Sequence, residues 1–210
     1  MPNKKSDQDG QLLDLAAFTD RETCLRLAAH GCPKAYTAIA KKHLASTDAL
    51  TTAYLLYCSF VSRMRGLHEG ILRELAADNP HAVLPLTRAW AEVVALAIYV
   101  GKNPEYARSL LDSPKNGGPG RKSFQAIFAA IQPEVGNMKA VYEQLSEYSH
   151  FSSVGVWNAH TLREGGEVHW TDVPHWRDEA HFKIACAQAR ELAQAGQEYL
   201  DRLGEVLGDS

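Results

Sequence analysis

Arg88 and Glu92 stand one helical turn apart in Arg88-Ala-Trp-Ala-Glu92, inside an otherwise apolar stretch. A guanidinium offers a planar fork of donors that suits a carboxylate or a phosphate. The pair therefore has two readings. In one it is a partly buried ion pair that fixes how two helices dock, since buried charges are normally paired. In the other Arg88 holds a small anionic ligand in a polar pocket between the central helices. The preceding helix adds Arg63, Arg65, Glu69, Arg73 and Glu74. A second polar group, Ser146, Tyr148 and His150, lies at the end of a later helix. Together with Arg88 and Glu92 these three make the candidate binding set. A helix C-terminus favours a protonated imidazole, so His150 suits a cap as well as a catalyst, and no catalytic residue is assigned.

Three other chemistries have material in the chain. His150, His160, His169, His175 and His181 crowd into a short stretch. Neutral imidazoles bind zinc, copper, iron or nickel, but no HExxH-like spacing is present, and the expectation is no metal and no cofactor. Ser146, Ser149, Ser152 and Ser153 surround His150 without the GxSxG elbow of a serine hydrolase. Gly-Gly-Pro-Gly at 117–120 lacks the lysine and hydroxyl of a phosphate-cradling loop. Arg163 and His169 have the arginine-to-histidine spacing of HEPN endoribonucleases, yet they span a glycine turn instead of closing a bundle helix.

Arg88 and Glu92 one turn apart, followed by Leu145, Ser146, Tyr148 and His150 and then a glycine-containing hairpin, carry a resemblance. The chain resembles uncharacterised bacterial all-helical proteins grouped under a domain of unknown function, loosely HEPN-like, over roughly residues 50–205. The resemblance implies a helical fold and no established activity. A ribonuclease or toxin component of a defence system, acting on nucleic acid, is the alternative it keeps open.

These side chains must be positioned by a fold that composition already bounds. The chain has 210 residues, a hydrophobic share of 45% and a formal net charge of −3. That length buries a core without metals or disulfides, and the weak negative charge supplies no global field for nucleic acid or anionic membrane. Cys24, Cys32, Cys58 and Cys186 form no CxxC pair, which fits a reduced, cytoplasmic setting. The longest apolar run, Val93 to Val100, is short of a membrane span, and the polar start has no leader-like apolar run behind it. No membrane partner is expected.

Apolar periodicity predicts an all-α bundle of four to five main helices with one small β-hairpin before the C-terminal helix. A disordered stretch is expected over 1–10 and a single helical domain over 11–210. Two short helices should fill 20–45, broken at Gly31-Cys32-Pro33, with Asp20 as N-cap. Long helices are expected over 46–77 and 81–102, a short one over 105–111, and a loop over 113–122. Two more should follow at 123–131 and 134–149, separated by Pro133. The last helix should run over 178–207, with Phe182, Ala185, Ala189, Leu192, Ala195, Tyr199, Leu203 and Val206 as its buried stripe.

The hairpin, about 156–171, turns on Gly165-Gly166. With those two residues as the turn, Glu164 faces Glu167 and Leu162 faces His169. Trp157, Thr161, Val168 and Trp170 then share the face expected to pack on the bundle. Apolar residues on more than one face of the long helices suggest a homodimer. The function read from all this is a binding and interaction module with a polar pocket. Its alternatives are the HEPN-like nuclease and a metal-binding protein using the hairpin histidines.

Overall fold

A computed structural model describes residues 15–44, 51–111, 121–136, 138–149, 160–162, 165–170 and 172–208. The expected N-terminal lead-in, most of the 113–122 loop, and the segment holding His150 and Trp157 lie outside the described residues.

The helices are α1 (Arg21–Ala28), α2 (Lys34–Leu44), α3 (Thr52–Ala76), α4 (Pro80–Lys102), α5 (Tyr106–Leu111), α6 (Phe124–Val135), α7 (Met138–Ser149) and α8 (Glu179–Gly208). Between the last two, β1 (His160–Leu162) and β2 (Val168–Trp170) pair antiparallel. The chain is the expected all-α bundle with one small hairpin. Five of its helices, α3, α4, α6, α7 and α8, have 12 residues or more.

Local chemistry sets most helix ends. Asp20, Thr51 and Ser123 are N-caps whose side chains accept from the amides of Thr23, Tyr54 and Ala126, satisfying donors that a helix start leaves unpaired. The amide bond from Thr23, with two threonine hydroxyls, holds the Asp20 carboxyl down at about 2. Between α3 and α4 the chain reverses at Asp78, φ +58, a left-handed position that aspartate tolerates. Pro80 then opens α4, where a missing N–H costs nothing. Arg21 reaches Asp78 at 2.7 Å and Glu179 at 2.8 Å, tying the start of α1 to that turn and to the start of α8.

The core lies where α3, α4 and α8 meet, with α1 and α2 on α8 and the α6–α7 pair on α4. Trp90, Met64, Ile71, Phe182, Leu200 and Leu203 are its large buried side chains. α4 is long and apolar enough to cross a membrane, but 61% of that stretch is buried inside the protein. Its several apolar faces, which suggested a second copy of the chain, meet α3, α6, α7 and α8 of the same chain.

His68 is buried in this core with 0% exposure. Its Nε2 lies 2.8 Å from the carbonyl oxygen of Ala28 and its Nδ1 3.2 Å from the Tyr36 hydroxyl. A carbonyl only accepts, so Nε2 carries the proton and Nδ1 accepts from the phenol. Burial lowers the imidazole pKa, outweighing the bond to Ala28. The ring stacks on Trp90 at 4.6 Å, and the arrangement joins α1, α2, α3 and α4.

Three expectations are corrected. Pro133 does not divide one helix from the next: α6 continues to Val135 and stops at Gly136, φ +53. A proline in the last turn removes only one ladder bond near an end whose carbonyls are unpaired in any case. On α8 the buried positions include Phe182, Ala185, Cys186, Ala189, Ala193, Leu200, Leu203 and Leu207, whereas Leu192, Ala195, Tyr199 and Val206 are only partly buried. Finally, the hairpin is one residue out of the expected register, with His160 opposite Trp170, Thr161 opposite His169 and Leu162 opposite Val168. Gly165 and Gly166 both take positive φ, +100 and +83, but the reversal is longer than those two residues. A slip of one residue moves every side chain to the other face. Val168 and Trp170 therefore share a face with His160, and they are 55% and 65% exposed. The tryptophan face of β2 does not pack on the bundle.

Candidate functional site

Arg88 and Glu92 lie on the side of α4 that meets α7, with side chains 26% and 23% exposed. Their closest approach, Arg88 Nε to Glu92 Oε1, is 3.5 Å; it is a charge contact that leaves the Nε–H without a hydrogen-bond acceptor. The hydrogen bonds run through Tyr142 of α7. Arg88 Nη2 donates to the Tyr142 hydroxyl at 3.2 Å, and that hydroxyl donates to Glu92 Oε1 at 2.8 Å. The guanidinium also lies over the Tyr142 ring, 5.3 Å from its centroid, while the ring packs on Phe128 of α6 at 4.7 Å. The Tyr142 hydroxyl links the two charges and ties α7 to α4, while the buried Arg88 Nε–H stays without an acceptor.

Ser146 turns inward along its own helix, its hydroxyl donating to the Tyr142 carbonyl at 2.8 Å. The side chain of Tyr148 and the whole of His150 lie outside the described residues, so the structure brings together Arg88 and Glu92 with Tyr142, and Ser146 by way of the Tyr142 backbone. Tyr142 belongs to the cluster although it was not among the candidate binding residues. Its distance in sequence from Arg88 and Glu92 gives no periodic signal.

The hairpin histidines do not converge by register. His160 and His169 are diagonal neighbours on opposite faces. His169 and His175 are both exposed or partly so, and His175 Nδ1 lies 3.2 Å from the carbonyl of Val173. Among the described residues no group of three histidine, cysteine, aspartate or glutamate side chains is placed to hold a metal ion. Arg163, half of the HEPN-like spacing, is outside the described residues.

The large concave feature is elsewhere. α4 packs against both α7 and α8, so it forms the floor of a groove whose walls are the α6–α7 pair and α8. The groove holds about 1410 Å³. Its lining is mixed: Val94 and Ile98 from α4, Val141 and Leu145 from α7, and Leu192 and Ala195 from α8 are apolar, beside polar Thr87, Gln132, Gln188 and three glutamates. Three of the half-buried positions of α8 that departed from the expected stripe, Leu192, Ala195 and Tyr199, face it. α8 thus has two adjacent apolar stripes, one in the core and one on the groove.

Among the described residues, ionisable groups lining the groove include three carboxylates, Glu134, Glu191 and Glu198, and no cationic side chain. Glu134 is paired with Lys102, whose ammonium lowers its pKa, and Glu198 is paired with Arg202. Glu191 has no ion pair among the described residues. Surrounding protein raises its pKa, with Arg190 only partly opposing the shift. It is solvent-accessible yet set in a concave wall, which accounts for both properties. A smaller depression of about 390 Å³ between α2 and α3, lined by Tyr36, Ala40, Leu44 and Val61, has no comparable carboxylate.

Comparison with family models, with curated proteins and with solved structures found no match for the chain. The class that fold and site define is therefore a structural one: a helical bundle with an open groove between its central helix and two flanking walls.

Proposed function

We propose that the protein is a binding and interaction module whose working surface is the groove over α4. The observation that carries this reading is the second apolar stripe of α8. Leu192, Ala195 and Tyr199 are packed on one side and open to the groove on the other. A concavity that joins apolar side chains to polar groups that fix orientation is the usual form of a binding site. The reading places the working surface on the groove, whereas Arg88 and Glu92 are already engaged by Tyr142. Four unpaired cysteines, Cys24 and Cys186 of them buried, support a reducing cytosolic setting.

Nile red, a neutral dye that brightens in apolar surroundings, tests the reading. Wild-type protein should bind it saturably. Ala195→Trp, which fills the groove, should abolish the signal while helical circular dichroism and thermal stability stay unchanged; Leu192→Gln, which only makes the wall polar, should weaken it. Equal dye binding by wild type and both variants would show that the groove is not the binding surface.

A further inference from the structure

The groove is built from helices on every side. From Thr87 to Ile98 on the floor and from Gln188 to Tyr199 on the wall, each helix runs eleven rises, or about 16 Å. That length accommodates about three turns, and two helical walls over a helical floor offer ridges and grooves for a further helix to pack into.

Charge narrows the occupant further. Among the described residues three carboxylates and no lysine, arginine or histidine line the groove, a charge that repels phosphate and so disfavours nucleic acid. Glu134 and Glu198 already have cations of their own, and Glu191 does not. A carboxylate in a concave, partly desolvated wall gains most from an incoming cation, because the field between them is less screened there than on open surface. The chain's own basic helix, α2, with Lys34, Lys41 and Lys42, is not free as a whole to enter the groove of a second copy. It packs on α3 and α8, and Lys42 is held by Asp201 and Glu205.

We propose that the groove seats an amphipathic helix of a partner protein, apolar face toward α4, with a lysine or arginine on its flank paired to Glu191. This rests on the groove being the working surface and adds the chemistry of what enters it: Leu192, Ala195 and Leu145 take the apolar face, and Glu191 selects the charge.

The test uses three fluorescein-labelled designed helices of about four turns, sharing a leucine stripe and carrying lysine, glutamine or glutamate on the flank. Fluorescence anisotropy at about 0.15 M salt reads their affinity for the full chain. The lysine helix should bind about tenfold tighter than the glutamine helix, the equivalent of roughly 1.4 kcal/mol, and the glutamate helix weakest. Glu191→Lys, a change at a solvent-accessible position, should reverse the order, and Ala195→Trp should abolish binding of all three. If the three bind wild type equally, or Glu191→Lys leaves their order unchanged while Ala195→Trp still blocks, charge selection is wrong and the groove reading stands. If no helix binds, or Ala195→Trp binds as wild type does, the groove reading falls and takes the inference with it. A wild-type dimer in light scattering that Ala195→Trp dissociates would assign the groove to a second copy and overturn the proposal.

Discussion

The hydroxyl of Tyr142 lies 2.8 Å from Glu92 Oε1, so a phenol from α7 donates into a carboxylate of α4. With Arg88 donating to that same hydroxyl at 3.2 Å, one neutral group bridges two charges that have only a 3.5 Å contact of their own. Tyr142 is the member of the cluster on which the other two depend.

Tyr142→Phe should therefore destabilise the fold by about 1.5–3 kcal/mol, the range for losing a hydrogen bond to a charged group. For a chain of this size that lowers the melting temperature by about 3–12 °C. Calorimetry on the single variants and on Tyr142→Phe combined with Glu92→Gln should show non-additive losses. Phosphate should protect no better than chloride at equal ionic strength; selective protection lost in Arg88→Leu would restore the anion-pocket reading.

His68 predicts a pH dependence. Its pKa is lower folded than unfolded, so between those two values the unfolded chain binds more protons and stability rises with pH. The contribution is complete above the ordinary histidine value near 6.5 and is lost as pH falls toward the folded value, at most about 1.4 kcal/mol per pH unit for one proton. His30, also lowered by burial, adds to the slope. Glu191, whose pKa is raised, slopes the other way just above the ordinary glutamate value. Melting temperatures of wild type should drop between pH 7 and pH 5. His68→Gln should show a shallower drop, and an identical profile would remove His68 as the cause.

Gly204 is a close-approach position. A Cβ there would meet His43 Cγ well inside van der Waals contact, and His43 is held by Asp201 at 2.7 Å and by an edge contact with Tyr57. Gly204→Ala gains about 1 kcal/mol of helix propensity, yet displacing the ring should make it destabilising overall, by about 1–3 kcal/mol. Urea unfolding decides the sign. A stabilised variant would mean that His43 gives way freely.

Trp170 offers the converse case. At 65% exposure it anchors nothing on the bundle, so Trp170→Ser should change unfolding free energy by less than about 0.5 kcal/mol. A loss of several kcal/mol in urea unfolding would place the tryptophan in the core after all.

What the sequence determined by itself is local. Asp20, Pro80 and the Gly31-Cys32-Pro33 break sit within a few residues of the helix ends they set, and capping or proline chemistry acts over that same span. Threefold and fourfold apolar steps likewise marked α3, α4 and α8, because a helix repeats every 3.6 residues whatever it packs on. The tertiary structure decided everything that depends on a neighbour distant in sequence. Periodicity announces that α8 has an apolar side but not which edge of it meets α4, so Leu192, Ala195 and Tyr199 read as core although they face the groove. The hairpin register turned on the length of one reversal, and a single residue exchanged its faces. Tyr142 looked like any core tyrosine until α7 was laid on α4. Only then did its hydroxyl fall between Arg88 and Glu92 and close the cluster that had looked most like a binding site.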